Sequence, residues 1–255
     1  MPSKGFPALA EAVRIELPAR VCGLALDIDG TLTEKKRLGE FNISLEAVEA
    51  VRRAEAAGIP VMLVTGNSVY VVAGVARYIG ASGPHVAENG CIVYDNGTIY
   101  RVCRDTARRA ARLIEEELAG VLKPSWQNPC RLHDYAFIPK LLEPGEALEA
   151  VKRVLSSRGI NVKVGFSGYA IHLRPVDASK GRGLKLALKL RGLEPDCVVA
   201  VGDSVIDLEM KDAGVILAAV GNADEKLKKN ADIVLPGESG RSVKALIDAI
   251  LSNRG

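Results

Sequence analysis

Four short stretches hold residues whose types and spacing can do chemistry. In Asp27-Ile28-Asp29-Gly30-Thr31 the two acids are separated by one residue, so at the end of an extended segment both carboxylates point to the same side. Neighbouring carboxylates repel unless a cation or a shared proton intervenes. Thr65-Gly66-Asn67-Ser68 combines a hydroxyl with free backbone N–H groups at a helix start, which is a cradle for an anion. Lys180 stands at another helix start, beside Gly181 and Gly183. Gly202-Asp203-Ser204-Val205-Ile206-Asp207 puts two acids four apart, able to face one ligand if a helix begins near Ser204. Taken singly, each has a plain alternative: a solvated turn, an N-cap, a surface lysine, a helix cap.

The elements that must position these residues follow from the apolar pattern. Residues 21–27 (VCGLALD) and 59–65 (IPVMLVT) are near-continuous apolar runs, as in parallel strands buried on both faces. Between them a helix is expected from Leu45 to Ala57, with Ser44 as N-cap and Gly58 just past its end. A second helix is expected from Ser68 to Ile79. Strand, helix, strand, helix is the order of right-handed crossovers on a parallel sheet. From about residue 85 the pattern changes. Asn96-Gly97 inside CIVYDNGTIYRV signals a hairpin. A charged helix over 105–119, a strand over 131–138, a helix over 145–157 and strands over 161–165 and 169–174 follow. After Pro175 the buried α/β pattern returns, with a helix over 180–191, apolar runs at 197–202, 215–221 and 231–236, and a last helix over 242–251. The expectation is therefore an α/β fold. A doubly wound, mostly parallel, Rossmann-like core (1–85 and 176–255) is interrupted by an inserted, mostly antiparallel α+β cap domain (86–175).

This organisation changes the weight of the four stretches, because each polar cluster falls just after an apolar strand or at a helix start on the same carboxyl edge. That edge is where open parallel sheets bind ligands. Four acids, a threonine and a lysine converging there suit Mg²⁺ together with a phosphate group, since Mg²⁺ uses one or two carboxylates plus phosphate oxygens. An EF-hand calcium loop fails: counting from Asp27, the sixth position is Leu32 instead of Gly and the twelfth is Leu38 instead of Glu. There is no Gly-Lys dipeptide for a Walker A loop, no G-x-S-x-G and no H-E-x-x-H. His85, His133 and His172 share no spacing that suggests a metal site or a triad. Arg101, Arg104, Arg108, Arg109 and Arg112 precede Glu115–Glu117 and read as a solvated helix face.

Composition sets the remaining bounds. With 255 residues, 48% hydrophobic, 25% charged and a net charge of +3, the chain is an ordinary globular protein with no charge excess for nucleic acid. No apolar stretch reaches the roughly 18 residues of a membrane span, and the first 20 residues read as a short leader without a signal-peptide core. Aromatics are 4% and Gln127 is the only glutamine. The five cysteines, Cys22, Cys91, Cys103, Cys130 and Cys197, form no C-x-x-C pair and are odd in number. They predict no zinc site and no disulfide framework; Cys22 and Cys197, in apolar strand-like runs, read as buried, inert thiols, and a reducing, cytoplasmic compartment is expected.

These residues resemble the four signatures of the haloacid dehalogenase superfamily of phosphohydrolases: Asp27-Ile28-Asp29-Gly30-Thr31 the first, Thr65 the second, Lys180 the third, and Gly202-Asp203 with Asp207 the fourth. The insertion is similar to the type-IIB cap of the Cof-like branch. A modest cap and the strings VTGN, AENG and VGNA resemble branch members acting on 2-phosphoglycolate. The resemblance implies Asp27 as nucleophile forming an aspartyl-phosphate, and Asp29 as general acid and then base. It implies Thr65, Gly66, Asn67 and Lys180 as phosphate-binding residues. It implies Mg²⁺ on the Asp27 carboxylate, the Asp29 backbone carbonyl and Asp203, with Asp207 in support. A sugar-phosphate phosphatase, a phosphomutase and a silent phosphate-binding protein are the alternatives. The expected partner is a small phosphorylated metabolite, with no nucleic acid or membrane, for a monomer or homodimer. One departure stands out: Ile206 occupies the place where Cof-like members often carry Asn, leaving Ser204 or Asn222 to supply a polar contact.

Overall fold

A computed structural model describes residues 17–37 and 40–253. The leader expected over 1–20 lies, through residue 16, outside the described residues. The first apolar run forms β1 (Gly23–Leu26), buried throughout. A hairpin of β2 (Thr33–Arg37) and β3 (Glu40–Ile43) follows. Its TEKKR strand has no apolar alternation, so nothing in the pattern announced it. α1 (Leu45–Ala56) begins where expected, with Ser44 Oγ accepting from Ala47 N. β4 (Val61–Leu63) is buried throughout. α2 (Val69–Ile79) stops at Gly80, which is left-handed. β5 (His85–Ala87), β6 (Ile92–Asp95) and β7 (Thr98–Arg101) form an antiparallel sheet. Asn96 and Gly97 both have positive φ in its turn, as a two-residue hairpin requires.

The insertion contains α3 (Arg108–Glu117), β8 (Leu122–Pro124), β9 (Tyr135–Pro139), α4 (Pro144–Ser157), β10 (Lys163–Phe166) and β11 (Ile171–Arg174). Its four strands form an antiparallel sheet in the order β10-β11-β9-β8. α3 and α4 pack on each other and on this sheet. Ile114, Phe137, Val151, Leu155, Ile171 and Leu173 make a hydrophobic core of their own. The arginines at 101, 104, 108, 109 and 112 are exposed.

The chain then returns through α5 (Lys180–Arg191), β12 (Val198–Gly202), a 3₁₀ helix (Val205–Ala213), β13 (Ile216–Ala219), α6 (Glu225–Lys228), β14 (Ile233–Val234) and α7 (Gly240–Ser252). The expected parallel sheet is present, in the order β14-β13-β12-β1-β4. α1 packs on α7, and α5 packs on the 3₁₀ helix. β1 is flanked by β4 on one side and β12 on the other. The chain reverses its winding direction there, which opens a crevice at the carboxyl end of β1. Cys91, Ile92, Val93 and Cys103, all beyond residue 85, pack in the same cluster as β1 and β4, and the second cluster begins at Ala107.

The cysteine reading is corrected. Cys22 is disulfide-bonded to Cys197, and Cys91 to Cys103; only Cys130 is a free thiol. The physical reason is register. β1 pairs with β12 so that Gly23 faces Val198, which sets the preceding residues, Cys22 and Cys197, side by side although 175 apart in sequence. The β6–β7 hairpin does the same for Cys91 and Cys103, with Val102 N donating to Cys91 O at 2.8 Å. The argument for a reducing compartment from unpaired thiols loses its support.

Candidate active site

The carboxyl end of β1 delivers Asp27 into the crevice, 5% exposed, with its N–H still donating to Val201 O of β12 at 2.9 Å. Lys180, the first residue of α5, reaches across. Its Nζ donates to Asp27 Oδ1 at 2.8 Å and to Asp207 Oδ1 at 2.5 Å. Asp207 Oδ2 accepts from Asp203 N, Ser204 N and Ser204 Oγ at 3.1, 2.9 and 3.1 Å. Asp207 thus fixes the strand-to-helix turn after β12 and orients the lysine at once. Carboxylate oxygens of Asp27, Asp203 and Asp207 lie within 4.8 Å of one another, all buried. Burial pushes the Asp27 carboxyl well above the usual range; Lys180 opposes this, and Asp207, Asp203 and Asp29 add to it. Burial disfavours the Lys180 charge, but Asp207 and Asp27 outweigh it and hold its pKa above the ordinary lysine value. One ammonium among three buried carboxylates leaves excess negative charge in a set of hard oxygen donors. That chemistry fits Mg²⁺.

Asp29 is placed differently. Its Oδ2 accepts from Asn67 Nδ2 at 2.7 Å. Between the two acids and the 3₁₀ turn sits Gly30, at φ +87°; a Cβ there would come 2.1 Å from Asp203 Oδ2, so only glycine lets these segments meet. Gly30 O accepts from Asn222 Nδ2 and Ser239 Oγ at 3.1 and 3.0 Å. Asn222 therefore braces the first loop, Ser204 braces Asp207, and Ile206 supplies an apolar wall of the cavity.

Thr65 is buried, and its Oγ1 accepts from Asn67 N and Nδ2 at 3.2 and 3.0 Å. At the start of α2 Ser68 occupies the N-cap position and makes no side-chain cap bond. Gln127 of the cap instead takes up the loop just before the helix: Ser68 N donates to Gln127 Oε1 at 2.8 Å, and Gln127 Nε2 donates to Asn67 Oδ1 at 2.6 Å. Arg131 Nη1 donates to Gly66 O at 2.8 Å. The AENG string is the second junction. Glu88 and Asn89 are left-handed at φ 49° and 52°. Glu88 carboxylate oxygens accept from the N–H groups of Leu132, His133 and Asp134. Burial raises the Glu88 carboxyl, and these backbone donors partly offset that. Asn89 Nδ2 donates to Asp134 Oδ2 at 2.6 Å, and His172 Nδ1 lies 3.0 Å from both Asp134 oxygens. Burial would raise Asp134, but His172, Arg131 and Asn89 hold it below the usual range. A third junction pairs Arg174 with both oxygens of Glu209 at 3.1 Å, while Glu209 Oε2 accepts from Lys180 N.

Core and cap together enclose a cavity of about 290 Å³. Of the residues expected to carry the chemistry, Asp27, Asp29, Thr65, Gly66, Asn67, Lys180 and Asp203 line it. Asp207 lies just behind. The cap adds Trp126, Gln127, Arg131, Tyr169 and His172, of which sequence reasoning assigned none to the site. A buried, hydrogen-bonding residue in an irregular loop has no period to reveal it; the only available signals were the uniqueness of Gln127 and the AENG string.

The buried lysine–carboxylate cluster at the switch point of a parallel sheet, roofed by an α+β insertion, defines a capped α/β protein with a site for a phosphate group and a divalent ion. Residues 24–117 and 137–247 match the model of the haloacid dehalogenase-like hydrolases. The chain is 38% identical over 231 residues to a phosphoglycolate phosphatase of Staphylothermus marinus, covering 89% of this chain and 96% of that one. It is 41% identical over 231 residues to a phosphoglycolate phosphatase of Metallosphaera sedula, covering 90% and 98%. Among solved structures, Thermoplasma acidophilum 0175 superimposes with a TM-score of 0.77 at 27% identity, covering 91% and 99%. The chain belongs to the haloacid dehalogenase-like hydrolases, and it is a phosphatase of that family.

Proposed function

We propose that this protein is a Mg²⁺-dependent phosphate-monoester hydrolase that converts 2-phosphoglycolate to glycolate and phosphate through an aspartyl-phosphate. The observation that carries the reaction class is Lys180 bridging Asp27 and Asp207 beside Asp203, with Thr65 and Asp29 on the same cavity wall. Asp27 attacks phosphorus, and the bond from phosphorus to the ester oxygen breaks as the acyl-phosphate forms. Asp29, steered by Asn67, gives its proton to the leaving oxygen, then takes one from the water that attacks the acyl-phosphate and releases phosphate. Lys180, the Thr65 hydroxyl and the N–H groups at the start of α2 stabilise the charge on the transferring oxygens. Asp27, Asp203 and the Asp29 backbone carbonyl would hold the ion, with Asp207 behind them. There Mg²⁺ would neutralise the carboxylates and polarise a phosphoryl oxygen.

The names of the relatives support 2-phosphoglycolate, and so does a cavity of about 290 Å³, at the small end of ligand sites. The two hydrophobic clusters support a division in which the core holds residues up to about 103 and from 176, and the cap holds those between. The test is phosphate release from a panel of small monoesters with Mg²⁺, with chelator, and with Asp27→Asn. Release from 2-phosphoglycolate that needs both the ion and Asp27 supports the reading. Better turnover of hexose phosphates overturns the substrate, and full activity of Asp27→Asn overturns the mechanism.

A further inference from the structure

We infer that Arg131 is the specificity-determining residue that binds a carboxylate on the leaving group; this rests on the phosphate-monoester reading above. Arg131 lines the cavity and is 3% exposed. Its Nη1 is committed to Gly66 O at 2.8 Å. Its Nε is buried and has no hydrogen-bond partner, a rare condition for a buried donor in a folded protein. Asp134 does not satisfy it. The nearest contact of that pair, Nη1 to Oδ1, is 3.7 Å, and the Asp134 oxygens are already engaged by Asn89 and His172. The open edge of the guanidinium is thus the Nε–Nη2 edge, whose two parallel N–H groups match the two oxygens of a carboxylate.

Charge points the same way. Of the two Lys and Arg side chains lining the cavity, Lys180 is held directly by Asp27 and Asp207, whereas Arg131, 3.7 Å from Asp134, has no hydrogen bond to an anion and keeps its Nε–Nη2 edge for one. Its anchor, Gly66, directly follows the phosphoryl-binding Thr65. Asn89 and His172 crowd the same glycine, at 3.0 and 3.2 Å from where a Cβ would stand. Phosphate at Thr65 and carboxylate at Arg131 would share one cavity of about 290 Å³, a space that suits a small phosphorylated hydroxy acid rather than a long or uncharged alcohol.

The test compares kcat/KM for carboxylate-bearing esters (2-phosphoglycolate, phospholactate) with that for 2-hydroxyethyl phosphate, in the wild type, Arg131→Gln and Arg131→Lys. In Arg131→Gln kcat/KM for the carboxylate esters falls about 100-fold further than that for 2-hydroxyethyl phosphate, mainly through KM, whatever common loss follows from freeing Gly66 O. Arg131→Lys keeps the charge without the fork and loses about 10-fold. An equal fall on both kinds of ester, or an unchanged preference in Arg131→Gln, overturns the inference. If another carboxylate ester outperforms 2-phosphoglycolate, the proposed substrate fails, yet the ratio still reads Arg131 by itself. A wild type with no preference between the two kinds overturns the inference whatever the substrate proves to be.

Discussion

Gln127 of the cap donates from Nε2 to Asn67 Oδ1 of the core at 2.6 Å. Since Asn67 Nδ2 then has only Asp29 and Thr65 to face, the cap residue fixes which end of the Asn67 amide meets the proposed acid–base group. Gln127→Ala frees that amide, and Gln127→Glu replaces the donor with an acceptor that favours the reversed amide. Both variants should lower kcat, by about 10-fold to 100-fold as for small misplacements of a reacting group, with Glu at least as severe as Ala. Steady-state kinetics beside thermal denaturation checks this. Loss of stability with unchanged kcat would reduce Gln127 to a structural clasp.

Lys180→Gln leaves Asp27 and Asp207 without their ammonium, with the Asp203 carboxylate close by. Removing one partner of a buried ion pair costs about 3–5 kcal/mol, and losing a positioned charge costs about 10²–10³ in rate. Urea denaturation at neutral pH should show the first and initial rates the second. On the proposed Mg²⁺ site, adding the ion should raise the melting temperature of the wild type, since it would bind only the folded carboxylate cluster; an unchanged melting temperature counts against that site.

His85 accepts a hydrogen bond on Nδ1 from Leu63 N, and burial pushes its pKa down to about 4. Unfolded, the ring protonates near 6.5. Between those values the unfolded chain binds more protons, so stability falls as pH drops from about 6.5 toward 4, by about 3 kcal/mol in all. His85→Gln should flatten that part of the profile. Denaturation at pH 7 and at pH 4.5 gives the comparison; an unchanged slope in the variant would assign acid sensitivity elsewhere.

Cys22→Ser with Cys197→Ser opens a loop spanning 175 residues, worth up to about 5 kcal/mol in chain entropy and about 10 °C in Tm for a chain this long. The 12-residue link between Cys91 and Cys103 should give about 3 kcal/mol. Alkylation of the denatured, unreduced protein followed by mass spectrometry checks both bonds directly. Five labelled cysteines would refute them.

Asp27, Thr65 and Asp203 were legible because each follows a run of buried β-residues, and Lys180 because it opens a helix after Pro175. Local periodicity places such residues at one sheet edge without knowledge of any contact. The linear pattern therefore determined the parallel core, the existence of an insertion, and the acids, hydroxyl and lysine that meet over β1. It could not determine contacts that depend on how two separately packed cores dock: Gln127 on Asn67, Arg131 on Gly66, Glu88 on the backbone of 132–134. Nor could it reveal the Cys22–Cys197 bond, which depends on the register of two strands far apart in the chain. Periodicity encodes which face of an element is buried, and only the assembled tertiary structure decides what that face meets.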